Sequence, residues 1–351
     1  MDKLEIASIV FVGDLMCHAP QFEAARVPGA IDSFDFSKNY LFVKQYISQA
    51  DFAIGNLETT IAGAELRYTG YPCFNTPYDY LGEVKKADFD FLVTSNNHSF
   101  DRGKKGVTKT IDSIKKLELG YTGTFDSFRD RDSIRIIEIK GIKIAIIAFS
   151  YGVNGNNIPK VEKYLVNIID TNLIKKDILE AKKLNPDIIL TYFHFGDEYK
   201  REPSLFQKEI VKKTISYGAD IIIGSHPHVI QPIDYFKGNN NLDTGFVAYS
   251  LGNFISNQRD RYKDSGLILK FTISKSKNKV YLGGVEYLPT WVFKGKYEGK
   301  DEYLILANNN IKSADNYLFL PDSDKIKMRQ SFMDSEEIIN KYSNKQKIIL
   351  R

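Results

Sequence analysis

The chain has 351 residues and a formal net charge of +4, with 43% hydrophobic and 26% charged residues. This composition is typical of a globular protein, and the near-neutral charge gives no sign of the basic surface that nucleic-acid binding requires. Two cysteines, Cys17 and Cys73, are too few for a disulfide scaffold or a cysteine-based metal site.

The predicted elements begin almost at the first residue. The segment from Met1 to Glu5 is charged and leads directly into a predicted strand. It has no apolar core of the signal-peptide type, and no apolar run in the sequence is long enough to span a bilayer. We therefore expect a soluble, cytoplasmic protein that reaches a membrane only through partners.

Strands and helices are predicted to alternate along most of the chain. Short aliphatic runs bounded by breakers predict strands, and apolar residues at helical spacing predict helices. The runs 134–139 and 142–149 predict a hairpin, and 266–273 with 280–287 predict an antiparallel ribbon. The other predicted strands are 8–12, 51–54, 90–93, 187–190, 221–223 and 246–250. The predicted helices are 41–49, 103–120, 173–184, 205–215 and 336–342, with a short one within 17–40.

Four of the predicted strands begin with an aspartate and end at a polar cluster. The aspartates are Asp51, Asp90, Asp187 and Asp220. Strands that alternate with helices form a largely parallel sheet, whose ligands bind beyond the carboxyl ends of the strands. We therefore expect the polar clusters to converge at one sheet edge.

All histidines of the sequence lie in or just after these polar clusters. They are His18, His98, His194, His226 and His228. Carboxylate and amide donors lie in the same clusters, at Asp14, Glu58, Asn97 and Glu198. Imidazole combined with carboxylate suits Mn, Fe or Zn, whereas Ca and Mg prefer an all-oxygen shell. We therefore predict a site for one or two divalent cations.

The acidic and amide candidates also have purely structural interpretations. Asp14 could cap a turn, but an acidic group that ends a buried strand is costly without a partner, which favours a ligand role. Glu58 could belong to a helix start or a solvated loop. Glu198 could form a surface ion pair with a nearby lysine or arginine, and Asn253 could be a turn residue. The residues alone leave these alternatives open.

The histidine candidates and Asn97 also have structural interpretations. His194 could be a hydrogen-bonded core imidazole, but its place at the end of a buried strand favours metal binding. Asn97 and His98 could form an Asx-type turn, or Asn97 could be a neutral ligand while His98 protonates a leaving group. His18 lies in a Pro-containing loop, so we expect it at the periphery of the site.

Other catalytic patterns do not occur in the sequence. It contains no Gly-x-Ser-x-Gly nucleophile elbow and no P-loop. Neither cysteine has the spacing that marks a nucleophile, so both are interpreted as inert thiols.

Six motifs follow one another over roughly the first three quarters of the chain. They are Gly13-Asp14-Leu15-Met16, Gly55-Asn56-Leu57-Glu58, Asn96-Asn97-His98 through Gly103, His194-Phe195-Gly196 with Glu198, Gly224-Ser225-His226-Pro227-His228-Val229 and Ser250-Leu251-Gly252-Asn253-Phe254. With these motifs the chain resembles the CapA family of bacterial capsule or poly-γ-glutamate biosynthesis proteins, relatives of the calcineurin-like metallophosphoesterases. The resemblance implies an α/β protein with a four-layer α/β/β/α sandwich of the metallophosphoesterase type and a metal centre at the sheet edge.

The resemblance also implies a role for each candidate. It makes Asp14 a ligand of the first metal, Glu58 the bridging carboxylate and His98 the general acid, so that Asp14 and His98 are the predicted catalytic residues. The remaining ligands are implied to be Asn97 and His194 at the second metal, with His226 and His228 as one ligand for each metal.

Two positions depart from the wider phosphoesterase pattern. Met16 stands where that pattern has a histidine, and Asn56 stands where it has an aspartate, so bridging falls to Glu58. Both changes remove a ligand, and a single tightly held ion is compatible with the set that is left. A further group is predicted to contact the substrate or to support the ligands: Asn56, Glu198, Asn253 and His18.

No linker-like or low-complexity segment divides the chain. We predict one CapA-like domain over residues 1–290, with residues 291–351 as a C-terminal extension packed on the same domain.

We predict a metal-dependent hydrolase that cleaves a phosphoester or a γ-glutamyl amide in the production of an anionic cell-surface polymer. A metal would activate water near neutral pH, and His98 would protonate the leaving group. The alternative is a non-catalytic, polymer-binding or scaffold subunit of a membrane synthase complex, because Met16 and Asn56 replace two ligands. The predicted partners are an anionic polymer or a phosphorylated or γ-glutamyl substrate, and no nucleic acid.

Overall fold

Two β-sheets and their flanking helices account for most of the chain in the computed structural model, which describes residues 4–238, 240–277, 279–342 and 349–350. The strands are β1 (Glu5–Leu15), β2 (Phe52–Leu57), β3 (Phe91–Val93), β4 (Gly120–Thr122), β5 (Arg135–Ile139), β6 (Ile142–Ser150), β7 (Ile188–His194), β8 (Ile221–Ser225), β9 (Ile233–Lys237), β10 (Thr244–Ala248), β11 (Asn253–Ile255), β12 (Ser265–Ser276), β13 (Lys279–Tyr297), β14 (Lys300–Ala307) and β15 (Ile349–Leu350). The helices are α1 (Ala19–Ala24), α2 (Lys44–Ser48), α3 (Tyr78–Lys86), α4 (Gly103–Lys116), α5 (Phe128–Asp132), α6 (Thr171–Lys183), α7 (Leu205–Tyr217) and α8 (Asp322–Tyr342), with short 3₁₀ turns at Ala64–Leu66, Lys160–Glu162 and Ser313–Asn316.

Both sheets are mixed, with parallel strands and antiparallel strands in each. The first sheet has the strand order β14-β13-β12-β1-β2-β3-β4, and β11 and β15 pair with β1 and β13. Strands β1 to β4 run parallel, whereas β12, β13 and β14 are antiparallel. The second sheet has the order β5-β6-β7-β8-β10-β9, with antiparallel pairs at both edges. The parallel sheet expected from the sequence is therefore divided between two mixed sheets.

Buried aliphatic side chains hold the two sheets against each other and hold helices on their outer faces. On β1 the residues alternate: Ile9 and Phe11 belong to the core between the sheets, and Val10 and Val12 to the core under the helices. Phe11 stacks on Tyr192 of the opposite sheet, with ring centroids 5.8 Å apart. Because both faces of β1 are covered there, the central run from Ile9 to Val12 is apolar at every position. The four-layer α/β/β/α sandwich is confirmed.

The aspartates that begin four strands connect neighbouring strands at their amino ends. Each carboxylate accepts the backbone N–H of one residue on the adjacent strand. The backbone N–H of the aspartate donates to the carbonyl of that neighbouring residue. The carboxylate bonds join Asp51 to Ser8 (2.9 Å), Asp90 to Ala53 (2.9 Å), Asp187 to Lys143 (2.9 Å) and Asp220 to Ile189 (2.8 Å). These aspartates thus set the strand register at the end opposite to the polar clusters.

Several elements differ from the sequence-based expectation. The last helix begins at Asp322 and not near residue 336, and the short strands β4 and β9 and the helices α3 and α5 were not predicted. Strand β13 runs across residue 290, and β14 pairs with it, so residues on both sides of that position share one sheet. The proposed division at 290 stays a prediction.

No helix in the described ranges is both long enough and apolar enough to cross a bilayer.

Candidate metal centre

The candidate ligands meet where the carboxyl ends of strands from both sheets face each other. Asp14 lies on β1 and Glu58 directly follows β2, both in the first sheet. His194 ends β7, and His226 and His228 follow β8, both in the second sheet. All five side chains are buried. The structure therefore brings these predicted ligands together, in the crevice where open α/β sheets bind ligands.

Asp14 is hydrogen-bonded from both sheets. Its Oδ1 accepts from Asn56 Nδ2 (2.8 Å) and from the Ser225 hydroxyl, and its Oδ2 lies 3.2 Å from His228 Nδ1. Burial disfavours the charged carboxylate, but the bonds from His228, Ser225 and Asn56 outweigh that effect and hold the pKa of Asp14 below its ordinary value. Asp14 is thus a buried carboxylate that stays ionised.

Glu58 carries an oxygen with no hydrogen-bond partner among the described residues. This atom, Oε1, lies 3.5 Å from His194 Nε2 and 3.9 Å from His228 Nε2. Burial, and then the charge of Asp14, raise the pKa of Glu58 well above its ordinary value. A buried acceptor left unsatisfied is costly, and a cation beside it would remove that cost.

The imidazoles of His194 and His226 are neutral donors of lone pairs. Burial lowers the pKa of His194 well below its ordinary value and lowers that of His226 to about 3. The Nδ1 atoms of both rings have no hydrogen-bond partner in the described part of the chain, whereas His194 Nε2 lies 2.9 Å from Asn97 Oδ1. A neutral imidazole is the form that binds a metal.

The turn that carries His226 and His228 has an unfavourable backbone. Both residues have positive φ, 99° and 58°, in the left-handed region that costs a non-glycine residue roughly 1–3 kcal/mol. The Tyr199 N–H donates to the carbonyl of Pro227 (2.8 Å) and ties this turn to the segment after β7. The surrounding structure therefore holds both rings toward Glu58, and strain of this kind clusters at ligand sites.

Two overlapping groups of side chains have the donor set that a metal ion requires. Glu58, His226 and His228 form one group, and Asp14, Glu58 and His194 form the other. Within each group the ligand atoms lie within 4.8 Å of one another. Glu58 is common to both groups, and its Oε1 is unsatisfied, so the residues present fit one divalent cation or two adjacent ones.

Asn56, one of the two departures noted in the sequence, is fully engaged with the carboxylates. Its Nδ2 lies 2.8 Å from Asp14 Oδ1 and 3.3 Å from Glu58 Oε2, and its Oδ1 accepts from Asn96 Nδ2 (3.2 Å). An amide donor placed between two carboxylates reduces their repulsion. Asn56 thus supports the arrangement of the candidate ligands.

His98 is held by a carboxylate beside the cluster. Its Nδ1 lies 2.7 Å from Asp101 Oδ2, which also accepts the backbone N–H of Phe74 (2.6 Å). The ring packs edge-on against Phe74, with centroids 4.6 Å apart. With Nδ1 occupied by Asp101, the other ring nitrogen is available for proton transfer.

The remaining candidates lie around the cluster. Asn253 is buried, with Oδ1 3.1 Å from His228 Nδ1. His18 packs edge-on against Phe74, the ring that also contacts His98. Glu198 lies on the exposed segment after β7, outside both ligand groups of the described residues.

Three residues that contact the cluster were not assigned a role from the sequence. The Tyr151 ring packs at a tilt against His226 with ring centroids 4.5 Å apart, Ser225 donates to Asp14, and Asp101 holds His98. Ser225 lies inside a recognised motif, and Asp101 is three residues after His98. Tyr151 directly follows β6, so applying the strand-end rule to that strand would have found it.

A four-layer sandwich with a histidine–carboxylate cluster at its strand ends defines a protein of the metallophosphoesterase type. The NAD nucleotidase NadN of Haemophilus influenzae is similar in fold, with a TM-score of 0.50 and 13% identity over 95% of this chain and 61% of that one. At that identity the likeness concerns the fold alone.

The family model described as "Bacterial capsule synthesis protein PGA_cap" matches residues 8–258, and the chain belongs to this family. The chain is 30% identical over 272 residues to the capsule biosynthesis protein CapA of Bacillus anthracis. This alignment covers 75% of this chain and 63% of that protein. It is 28% identical over 276 residues to the PGA biosynthesis protein CapA of Bacillus subtilis, in an alignment that covers 75% of this chain and 67% of that protein. The resemblance read from the six motifs is confirmed, and the chain spans less than two thirds of the anthrax relative's length.

Proposed function

We propose that this protein is a metal-dependent hydrolase that cleaves a phosphoester or a γ-glutamyl amide in the production of an anionic capsule polymer such as poly-γ-glutamate. The observation that carries the proposal is the buried group of Asp14, Glu58, His194, His226 and His228. In this group, Glu58 Oε1 has no hydrogen-bond partner among the described residues, and the Nε2 atoms of His194 and His228 lie 3.5 and 3.9 Å from it.

The unsatisfied oxygen of Glu58 argues against a merely structural cluster. Native proteins satisfy nearly all their buried polar groups, because each one left unpaired costs about 1–3 kcal/mol. A cation of the Mn, Fe or Zn type would satisfy oxygen and imidazole nitrogen together. The names of the family and of its two CapA relatives support capsule polymer as the context of the reaction.

The chain's own residues supply the rest of the chemistry. A bound cation provides Lewis-acid activation of water at neutral pH. Asp14 and Glu58 would carry the negative charge that holds the cation, because a nearby cation favours the ionised carboxylates, and Asn97, whose Oδ1 lies 2.9 Å from His194 Nε2, would be the neutral ligand beside them. The Asp101 carboxylate, 2.7 Å from His98 Nδ1, orients the His98 ring, and His98 is the residue that would deliver a proton to the departing oxygen or nitrogen.

A second candidate function is a non-catalytic subunit of a polymer synthase complex. Asn56 favours it, because its amide occupies the space between Asp14 and Glu58, where the wider phosphoesterase pattern has an acidic ligand. Such a protein would bind the polymer without turning it over.

The test compares the wild type with the Asp14→Asn/His228→Ala double variant. Metal content is measured after purification without chelator, and turnover is measured on an aryl phosphate and a γ-glutamyl anilide with Mn added. We expect stoichiometric metal in the wild type and a loss of turnover of at least about a hundredfold in the double variant. Asp90→Asn, which alters a strand aspartate at the opposite end of the first sheet, is the matched control and should keep both properties. Full hydrolysis by the double variant would refute the mechanism, and substoichiometric metal without turnover in the wild type would favour the subunit.

A further inference from the structure

Tyr199 stands at the mouth of the candidate metal centre. Its ring centroid lies 6.1 Å from that of His228, and its N–H is bonded to the carbonyl of Pro227. Although its backbone is anchored in this way, 47% of the residue is exposed. The ring is therefore a half-exposed neighbour of the buried His228, and we call this position the rim of the cluster.

Lys263 is fixed to this rim by two independent contacts. Its Nζ lies 4.6 Å from the centroid of the Tyr199 ring, within the range of a cation–π interaction. Its backbone carbonyl accepts from Asn253 Nδ2 (2.8 Å), and Asn253 Oδ1 in turn lies 3.1 Å from His228 Nδ1. Side chain and backbone thus both place Lys263 next to the His228 side of the cluster.

The present partner of the Lys263 ammonium is weakly held. Nζ lies 2.6 Å from Asp260 Oδ2, but the Asp260 side chain is 83% exposed, whereas that of Lys263 is only 20% exposed. An exposed ion pair contributes about 0–1 kcal/mol, so another anion can replace Asp260 at little cost. Lys263 is therefore a mostly buried cation whose counter-ion is exchangeable.

The carboxylates of the cluster have histidines as their charged neighbours. In the described part of the chain, the ion pairs of Asp14 and Glu58 are formed with histidines and not with lysine or arginine. The charge of a bound cation would be offset by these carboxylates, so a second negative group of a substrate would gain from a separate positive charge at the rim.

We propose that Lys263, packed on Tyr199, anchors an anionic group of the substrate beside the group that reacts at the metal centre. The shared chemistry is an oxyanion, either the α-carboxylate of a γ-glutamyl unit or a phosphate. This proposal rests on the proposed function for the view that the cluster is a reaction site, but binding of an anion by Lys263 can be tested without any turnover. Lys263 then determines specificity for anionic substrates and takes no part in bond cleavage.

The experiment measures binding before turnover. Titration calorimetry with tri-γ-glutamate and with inorganic phosphate, on the Mn-loaded full chain, compares the wild type with Lys263→Met. Loss of one charge-assisted contact should weaken the affinity for the anion that Lys263 recognises by about tenfold. Lys263→Arg keeps the charge and should retain most of the affinity. The probe that loses affinity identifies the carboxylate or the phosphate as the ligand.

A second ion pair on the surface provides the control for non-specific charge effects. Lys213 pairs with Glu209 at 2.7 Å on α7, away from the rim. Lys213→Met should bind both probes like the wild type. Asp260→Asn, which removes the competing anion, should tighten binding by about two- to fivefold, whereas Glu209→Gln should change nothing.

The outcomes separate this inference from the proposed function. Weaker binding by Lys263→Met supports the anchor even if the wild type turns over no substrate, and only the hydrolase proposal would then fail. If turnover occurs, Lys263→Met should raise KM for the anionic substrate and leave kcat unchanged, because the contact is made before and during the reaction. Equal affinity of the wild type and Lys263→Met, or no binding of either probe by the wild type, would overturn the proposal.

Discussion

Asp220 offers a sharp test of how the strand-initial aspartates hold the second sheet together. The residue is buried, and its Oδ2 accepts from the Ile189 N–H (2.8 Å) and from Asn240 Nδ2 (3.0 Å). Its Oδ1 accepts from the Asn241 N–H (3.2 Å). Asp220→Ala removes all these acceptors at once and leaves the Ile189 N–H buried without its carboxylate.

The expected cost follows from these contacts. A buried N–H without an acceptor costs about 1–3 kcal/mol, and each lost bond to the loop donors adds about 1 kcal/mol. Burial raises the pKa of Asp220, which means that the folded protein disfavours the charged carboxylate. Replacing it by a neutral side chain removes this desolvation penalty and offsets part of the loss. We expect a net destabilisation of about 3 kcal/mol for Asp220→Ala and about 1 kcal/mol for Asp220→Asn, which keeps one acceptor.

Urea unfolding followed by circular dichroism measures these differences. Asp90→Ala is the matched control, because Asp90 is only half-buried and accepts one backbone bond (2.9 Å from Ala53), so its loss should cost about 1 kcal/mol. Metal content should be unchanged in all three variants, since these aspartates lie at the strand ends away from the cluster. An Asp220→Ala protein within about 0.5 kcal/mol of the wild type, or an equal effect of Asp90→Ala, would refute this explanation of the aspartate pattern.

Two further predictions concern single carboxyl groups. Asn56→Asp places a third carboxylate against Asp14 and Glu58, so it should lower the melting temperature of the metal-free protein. Added Mn should then stabilise the variant more than it stabilises the wild type. An equal rise in melting temperature on adding Mn to both proteins would contradict this prediction. Burial, and then the charge of Asp35, raise the pKa of Glu302 from its ordinary 4.5 to about 7. Because the folded pKa is raised, the stability contributed by Glu302 is full below pH 4.5 and is lost as the pH rises through about 7. Relative to Glu302→Gln, the wild type should therefore lose unfolding free energy over that range, and parallel pH profiles would refute the assignment.

Local sequence patterns were sufficient for the central strands and for the main helices. The aliphatic runs at Ile142 and Ile221 became β6 and β8, and the helical spacing of Val107 and Ile111 became α4. These patterns succeed because burial on one or both faces of an element selects apolar residues at its own period. The three-residue strand β4 carries too short a pattern to be recognised.

The candidate site could be read from the sequence only as a set of residues. The strand-end rule and the ordered motifs identified Asp14, Glu58, His194, His226 and His228. They did not reveal the contacts that support these residues, such as Asp101 on His98 and Tyr151 on His226. Such contacts join segments that are distant along the chain or lie outside any periodic element, so no local sequence pattern predicts them.

The sequence by itself determined which stretches become the central strands, which side chains stand at their carboxyl ends, and the family to which the chain belongs. Only the tertiary structure decided that the strands divide between two sheets and that Asp14 and Glu58 from one sheet face His194 and His228 from the other. The physical reason is that strand pairing and sheet stacking depend on side chains that meet across the core, whereas periodicity and turn residues act over a few neighbouring positions. The unsatisfied oxygen of Glu58, on which the metal proposal depends, exists only because those distant segments pack together.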